Sequence, residues 1–148
     1  MNIIGAVISG IAGTIAISIV MRMAPMMGMP KMDIVDLLST MFGKPNSGLG
    51  WMMHMMMGVV FALIYAFLWA IGFGTANWLF GLIFGAAHWL VVGVIMAMIP
   101  IMHAGIKNGD VEAPGMWMTN QGGVLAFLGG LMGHMVFGLA VALVYGLI

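Results

Sequence analysis

The sequence predicts an all-α integral membrane protein, in which four transmembrane helices form a duplicated two-helix hairpin and one short interfacial helix is added. Three observations predict this fold. Of the 148 residues, 64% are hydrophobic and only 5% are charged, which is too little charge to cover a soluble domain of this size. Four apolar stretches are long enough to cross a membrane, and a motif in the second recurs in the fourth.

The four predicted spans each reach the roughly 20 residues needed to cross ~30 Å of hydrocarbon. They cover about residues 3–27, 50–73, 78–101 and 123–148. Trp51 and Trp69 are separated by about 27 Å along a helix, which suits aromatic residues at the two membrane interfaces. The second and third spans are joined by the short uncharged turn 72–77.

Positive charge is confined to two connections on one side of the predicted bundle. These connections contain all four Lys and Arg residues: Arg22, Lys31, Lys44 and Lys107. Because such loops face the cytoplasm, we expect a protein of the prokaryotic cytoplasmic membrane with both long connections in the cytoplasm and both termini outside. The net charge is zero, so nothing indicates nucleic acid as a partner, and the lack of cysteine excludes thiolate sites.

The two long connections differ in their predicted structure. Residues 31–42 form a predicted interfacial helix, since Pro30 precedes them and both Asp33 and Asp36 lie where the positive helix end favours anions. Its amphipathic pattern predicts a helix lying on the bilayer surface. The connection 104–122 contains Asn, Gly and Pro turn signals and is predicted to be an irregular loop.

An internal repeat is indicated by a motif in the second span that recurs in the fourth with its internal spacing unchanged. The first copy contains His54, Met55, Gly58, Ala62 and Tyr65, and the second copy contains His134, Met135, Gly138, Ala142 and Tyr145. Agreement at a fixed spacing predicts one domain, residues 1–148, built from repeat 1 at about 3–73 and repeat 2 at about 78–148. The repeats share one orientation, so their symmetry axis runs along the membrane normal.

A second pattern relates the first and third spans. Met21-x-Met23-x-Pro25-x-Met27 aligns with Met96-x-Met98-x-Pro100-x-Met102. This alignment places Gly10 on Gly85, and it leaves His88 with no histidine partner in the first repeat.

Several of these motifs also relate the chain to known proteins. They are Gly13-Thr14, the run from Met23 to Asp33, Gly50-Trp51 with His54 and Gly58, and Gly133-His134 with Gly138. Over most of its length the chain resembles a family of small prokaryotic four-helix membrane proteins known only as a domain of unknown function. The resemblance implies a four-helix membrane fold and brings no activity, substrate or cofactor.

His54 and His134 are the strongest candidate ligands in the sequence. Each lies roughly 21–22 Å along its helix from the uncharged end, so the two share one depth. Two imidazoles facing inward across a bundle suit the axial positions of a b-type haem, with Gly58 and Gly138 one turn away leaving room for the macrocycle. Arg22 could pair with a haem propionate. This interpretation predicts an accessory subunit that transfers electrons within a larger membrane complex.

Copper is the alternative ligand. Soft thioethers together with imidazole suit Cu(I), and three methionine pairs have the i, i+4 spacing that places both members on one helix face. The pairs are Met23/Met27, Met52/Met56 and Met53/Met57. They would act with His54 and His134, and His88 is a candidate third metal ligand. Methionine is also an adaptable apolar filler, so these residues can equally serve packing.

A purely structural subunit without a cofactor is the third interpretation. The spacings Gly58-x-x-x-Ala62 and Gly138-x-x-x-Ala142 allow close helix packing without any ligand. The spans contain no nucleophile, histidine and carboxylate set and no phosphate-binding loop, so we do not expect the chain to be an enzyme by itself. Expected partners are the lipid bilayer and either other membrane-protein subunits or a second copy of the chain.

Overall fold

The computed structural model describes residues 1–148 and is entirely helical. Its α-helices are α1 (Ile3–Met23), α2 (Ile34–Ser39), α3 (Ser47–Ala70), α4 (Trp78–Met96), α5 (Ala104–Asn108) and α6 (Gly123–Leu147). Its 3-10 turns are Ala24–Met27, Ile99–Ile101 and Met116–Gln121. Four helices, α1, α3, α4 and α6, are long and apolar enough to cross a membrane, which confirms the predicted fold class of an integral membrane protein.

Asparagine side chains start three of the four long helices. Each accepts a hydrogen bond from the backbone N–H three residues later: Asn2 from Gly5, Asn46 from Leu49, and Asn77 from Phe80. Such caps satisfy backbone donors that have no partner within the helix. The cap at Asn46 explains why α3 begins at Ser47, slightly before the predicted span.

The four long helices are arranged around the bundle in the order α3, α1, α6, α4. Helices α1 and α6 lie against each other, with Gly13 of α1 close to Phe137 and Val141. Helices α3 and α4 meet through aromatic side chains, where Phe61 stacks on His88 with ring centroids 3.6 Å apart. The central contact between the two hairpins is therefore the α1–α6 pair.

The half of the bundle near the termini has a continuous apolar core. We call the buried group Ile17, Ala62, Tyr65, Trp69, Phe137, Val141 and Ala142 the lower core. At this end the Asn2 N–H donates to the Tyr145 hydroxyl at 2.9 Å, and the Asn2 amide donates to the Ile148 carbonyl at 3.1 Å. The chain ends are thereby joined at the face opposite the long connections.

Helix α2 is shorter than the predicted helix at 31–42, and its apolar face packs against protein. Leu37 is fully buried and packs into the core, and Gly50 of α3 lies directly against the α2 backbone. The amphipathic pattern was correctly identified, but protein covers the apolar face where lipid was expected. Helix α2 therefore closes the charged end of the bundle.

The two carboxyl groups at the start of α2 have different environments. Asp33 caps the helix by accepting from the Asp36 N–H at 3.0 Å, and it pairs with Lys31 at 3.1 Å. Burial alone would raise the pKa of Asp33, but the hydrogen bonds from Asp36 and Lys31 lower it below its usual value. Burial and the neighbouring Asp33 charge raise the pKa of Asp36. Asp33 is thus the capping carboxylate of the pair.

The second long connection is more regular than the predicted loop at 104–122. It contains α5, and His103 caps that helix. The Ile106 N–H donates to His103 Nδ1 at 3.1 Å, so His103 Nε2 carries the proton and donates to the Leu37 carbonyl at 2.7 Å. His103 is fully buried with both ring nitrogens satisfied, and it ties α5 to α2.

The 3-10 turn that follows contains an unusual backbone conformation. Trp117 and Met118 are the only non-glycine residues with positive φ, at 50° and 57°. The Trp117 indole donates to the Leu90 carbonyl at 3.2 Å and lies against Gly93, where a larger residue would overlap it. Met118 is buried. The turn thereby inserts a methionine into the bundle from the charged end.

Candidate functional site

Gly58 is the point at which α3 crosses α1. A side chain at this position would overlap the Thr14 hydroxyl and would lie 3.2 Å from the Gly10 carbonyl. The Thr14 hydroxyl donates to that same carbonyl at 2.8 Å, so the contact is held from the α1 side. The space beside Gly58 that was predicted to accept a macrocycle is filled by α1.

Gly138 has equivalent surroundings where α6 crosses α4. A side chain there would overlap the Gly81 carbonyl and would meet the Gly85 backbone at 2.8 Å. Gly85 in turn lies against the backbone of His134. The expectation that Gly58 and Gly138 leave room for a cofactor is therefore wrong, because both glycines are occupied by close helix packing.

The two crossings define the register between the repeats. Gly10 lies against Gly58, Val59 and Ala62, whereas Gly81 lies against the equivalent set Gly138, Leu139 and Ala142. The contacting residues of α3 and α6 are separated by the same number of positions as His54 and His134. On α1 and α4 the same contacts make Gly10 correspond to Gly81. The predicted alignment of Gly10 with Gly85 is therefore wrong by about one helical turn.

The predicted alignment of α1 with α4 fails because the two repeats differ in length between the glycine crossing and the proline. The interval from Gly81 to Pro100 is longer than the interval from Gly10 to Pro25 by about one helical turn. The second repeat therefore has an additional turn between its crossing and its proline. In the register of the crossings, Ser18 corresponds to Trp89. Ser18 lies beside His54, and Trp89 lies beside His134.

Three histidines line one cavity of about 70 Å³ between the helices. They are His54, His88 and His134. The rings of His88 and His134 are nearly perpendicular, with centroids 4.8 Å apart. The repeated motif pairs His54 with His134, and in the structure His88, the candidate third ligand, is the direct neighbour of His134. The cavity therefore gathers every histidine of the membrane spans.

Hydrogen bonds assign the protons on two of these rings. His134 Nδ1 donates to the Gly130 carbonyl at 2.8 Å, so its Nε2 keeps a free lone pair. The Ser18 hydroxyl donates to the Thr14 carbonyl at 2.6 Å and therefore accepts from His54 Nε2 at 3.3 Å. His54 Nδ1 keeps the lone pair. Both neutral imidazoles can bind a metal ion.

His88 is held by aromatic neighbours. Its Nδ1 lies 3.2 Å from the Tyr65 hydroxyl, and Phe61 stacks on its ring. A hydroxyl at Nδ1 fixes the ring orientation, as the outer-shell partners of metal-binding histidines do. Tyr65 belongs to the repeated motif, but its counterpart Tyr145 contacts the chain terminus, so the two repeats use this tyrosine differently.

Five methionines also line the cavity: Met21, Met32, Met57, Met96 and Met118. Only Met57 belongs to the predicted copper set. Four other members of that set are at least half exposed on the helix surfaces, namely Met23, Met27, Met52 and Met56, while Met53 packs against the core without lining the cavity. The two methionines of each predicted i, i+4 pair share one helix face, but most of these faces point away from the cavity.

Two of the methionines that line the cavity had a sequence signal. Met21 and Met96 are the first residues of the two Met-x-Met-x-Pro patterns, so the repeat itself marks them. Met32 and Met118 come from the connections, and no helical periodicity identifies them. Their place in the site depends on how α2 and the Met116–Gln121 turn fold back onto the bundle.

Trp89 is a further cavity residue that no sequence pattern predicted. It is fully buried, and its ring lies 4.8 Å from the His134 ring. Its indole Nε1–H has no acceptor within the protein. A buried unpaired donor costs about 1–3 kcal/mol.

Haem does not fit this arrangement. The cavity has room for a few water molecules or one ion, since one water needs roughly 10–15 Å³ measured in the same way. A macrocycle between His54 and His134 would require both glycine crossings to separate. Arg22, the predicted propionate partner, is exposed and does not line the histidine cavity.

A metal ion in the cavity would need sulfur ligands. No group of three His, Cys, Asp or Glu side chains stands close enough to hold a metal by itself. The methionines are the remaining donors around the histidines. The donor set available to an ion is therefore neutral imidazole and thioether.

Comparisons with protein-family models, curated proteins and solved structures find no match to this chain.

Proposed function

We propose that this integral membrane protein binds Cu(I) in the cavity formed by His54, His88 and His134. One observation carries the proposal: three imidazoles and five thioethers line the same small cavity. Cu(I) is a soft ion that prefers thioether and imidazole ligands, whereas harder ions prefer oxygen. The lone pairs assigned to His54 and His134 supply two neutral ligands, and cavity methionines complete the coordination.

The charge of the cavity favours a monovalent ion. No Asp or Glu lines it, so no negative ligand offsets the charge of a bound metal. In the Born description the cost of moving an ion into a low-dielectric interior rises with the square of its charge, which penalises Zn²⁺ and Cu²⁺ far more than Cu⁺. The Trp89 ring beside His134 can stabilise a single positive charge through its π face.

The biological role we propose is to hold Cu(I) for a membrane-embedded partner. Nearly all of the chain lies in the four long helices and the connections folded onto them, so little protein extends into water. The partner that receives the copper is then another membrane-protein subunit or a second copy of the chain. Nothing in the donor set implies turnover of a substrate.

Cu(I) binding should be stoichiometric and selective. The protein in lipid nanodiscs, titrated anaerobically in competition with a Cu(I) chelator, should retain about one Cu(I) per chain and should not retain Zn²⁺ under the same conditions. Failure to retain Cu(I), or equal retention of Zn²⁺, would contradict the proposal. So would a Soret absorbance band in protein purified gently from its native membrane.

Two sets of methionine variants, measured in the same titration, distinguish methionines that bind copper from methionines that only pack. Changing Met57, Met96 and Met118 to leucine preserves volume and apolarity, so the fold should survive while Cu(I) affinity falls. Changing the exposed Met23, Met27, Met52 and Met56 to leucine removes more sulfur but should leave Cu(I) affinity near that of the parent. Equal effects of the two sets would exclude the cavity as the copper site.

We also propose that the protein lies in the cytoplasmic membrane with both long connections in the cytoplasm. Lys31, Lys44 and Lys107 lie in those connections and Arg22 lies in the last turn of α1 beside them, which supports this orientation. A cysteine introduced at Ser47, in otherwise cysteine-free protein, should resist a membrane-impermeant thiol reagent added outside intact cells. A cysteine at Asn77 should react, and the reverse pattern would invert the orientation.

A further inference from the structure

A second cavity of about 350 Å³ lies at the charged end of the bundle, and we call it the vestibule. Its lining includes Arg22, Lys31, Asp33 and Asp36. It is polar where the histidine cavity is apolar, and it is formed where α1, α2 and the start of α3 come together. The vestibule therefore brings the aqueous face close to the histidine cavity.

Two methionines and one serine join these spaces. Met21 and Met32 line both the vestibule and the histidine cavity. Ser18 lines the vestibule and, through its hydroxyl, contacts His54 at 3.3 Å. The small Ser18 side chain thus separates the vestibule from His54, and the thioethers of Met21 and Met32 border both spaces.

We propose that Cu(I) reaches the histidine cavity from the vestibule, past Ser18 and by way of Met21 and Met32. This inference rests on the proposed function. Copper changes ligands along the route without changing charge: the donor that delivers Cu(I) leaves as a thioether binds, and each thioether is then exchanged for a deeper ligand. No electron or proton needs to be transferred.

The equivalent route in the second repeat is closed. In the register of the crossings, Trp89 takes the place of Ser18, and it is fully buried against Gly130 and beside His134. The two histidines of the repeated motif therefore have different neighbours, a small serine on one side and a large indole on the other. Access is consequently confined to the Ser18 side.

Thiol labelling of two serines on α1 tests the route without copper. Ser18→Cys in metal-free nanodisc protein should react with a small cationic thiol reagent at least about tenfold faster than Ser9→Cys. Ser9 is the control because it is also on α1, donates to the Ala6 carbonyl and lines neither cavity; it is fully buried, whereas Ser18 is half-buried. Equal labelling of the two cysteines would overturn the route even if copper binds.

Copper loading tests the two methionines. With Cu(I) supplied as its acetonitrile complex, the double substitution Met21→Leu and Met32→Leu should slow loading by about tenfold. Met53→Leu, which packs on the core but lines neither cavity, should load at the parent's rate. An unchanged loading rate in the double variant would overturn the route. Absence of Cu(I) binding by the parent would instead overturn the proposed function, whatever the labelling result.

Discussion

Replacing Gly85 by alanine should destabilise the protein by about 1–2 kcal/mol, because the added methyl group overlaps backbone that cannot rotate away. Its Cβ would overlap the His134 carbonyl and lie 2.7 Å from the Met135 Cα. Overpacking of this kind costs roughly 1–3 kcal/mol or more, against about 1 kcal/mol gained from the better helix propensity of alanine. Reversible unfolding in mixed micelles with increasing sodium dodecyl sulfate measures the difference.

Gly133→Ala is the matched control on α6. Its nearest neighbour would be the Ile17 side chain at 3.3 Å, which can shift by a small rotation. We expect Gly133→Ala to be close to neutral, since the propensity gain offsets a mild contact. If both alanine variants unfold at the parent's midpoint, the α4–α6 crossing is looser than the structure describes.

The crossing also matters for the site. Gly85 contacts the backbone of His134 itself, so a shift of α4 away from α6 displaces this histidine relative to His88. Gly85→Ala should therefore lower Cu(I) affinity in protein that remains folded. Gly85 thus couples the packing of α4 on α6 to the position of His134, the proposed ligand.

The double substitution His54→Ala and His134→Ala should reduce Cu(I) affinity by more than ~100-fold. Loss of an outer-shell partner alone costs about 10–100-fold, and removal of two direct ligands must cost more. Neither ring is an essential support for its helix, since His54 hydrogen-bonds only the Ser18 hydroxyl and His134 donates to its own helix. The chelator competition assay and a thermal unfolding curve should be measured on the same samples.

His103→Gln is the control for this substitution. His103 donates to Leu37 and caps α5, so its loss should lower stability. Because it lies outside the cavity, Cu(I) affinity in the folded fraction should stay at the parent's value. If the double variant retains parental affinity, the imidazoles are not ligands and a packing role for them is favoured.

The four spans could be predicted because hydropathy and length are local properties of the sequence. The span from 78 to 101 coincides with α4 and its 3-10 extension. The predicted helix at 31–42 is present in shortened form, and its apolar face packs on protein, because the amphipathic pattern is the same whether lipid or protein covers that face. The helix α5 was missed because its His103 cap depends on a distant contact with Leu37.

The candidate site was only partly predictable. Depth follows from the helical rise, so His54 and His134 were placed at one level. The neighbourhood of His88 depends on the vertical register of α4 against α6, which is set by the glycine crossing and not by the Met-x-Met-x-Pro pattern. Gly58 was interpreted both as free space and as a packing contact, and the structure agrees with packing.

The lower core has a consequence for the energised membrane. A histidine cavity in contact with water on one side is compatible with a membrane potential only if the other half of the bundle blocks ions. The lower core, in which Ala62, Trp69 and Val141 are buried and do not line the cavity, would provide that barrier. Moving one charge through 100 mV involves about 2.3 kcal/mol, and most of the voltage drop would fall across these apolar layers. A cation bound at the histidines would then feel nearly the electrical potential of the vestibule side, so its affinity would depend little on membrane voltage.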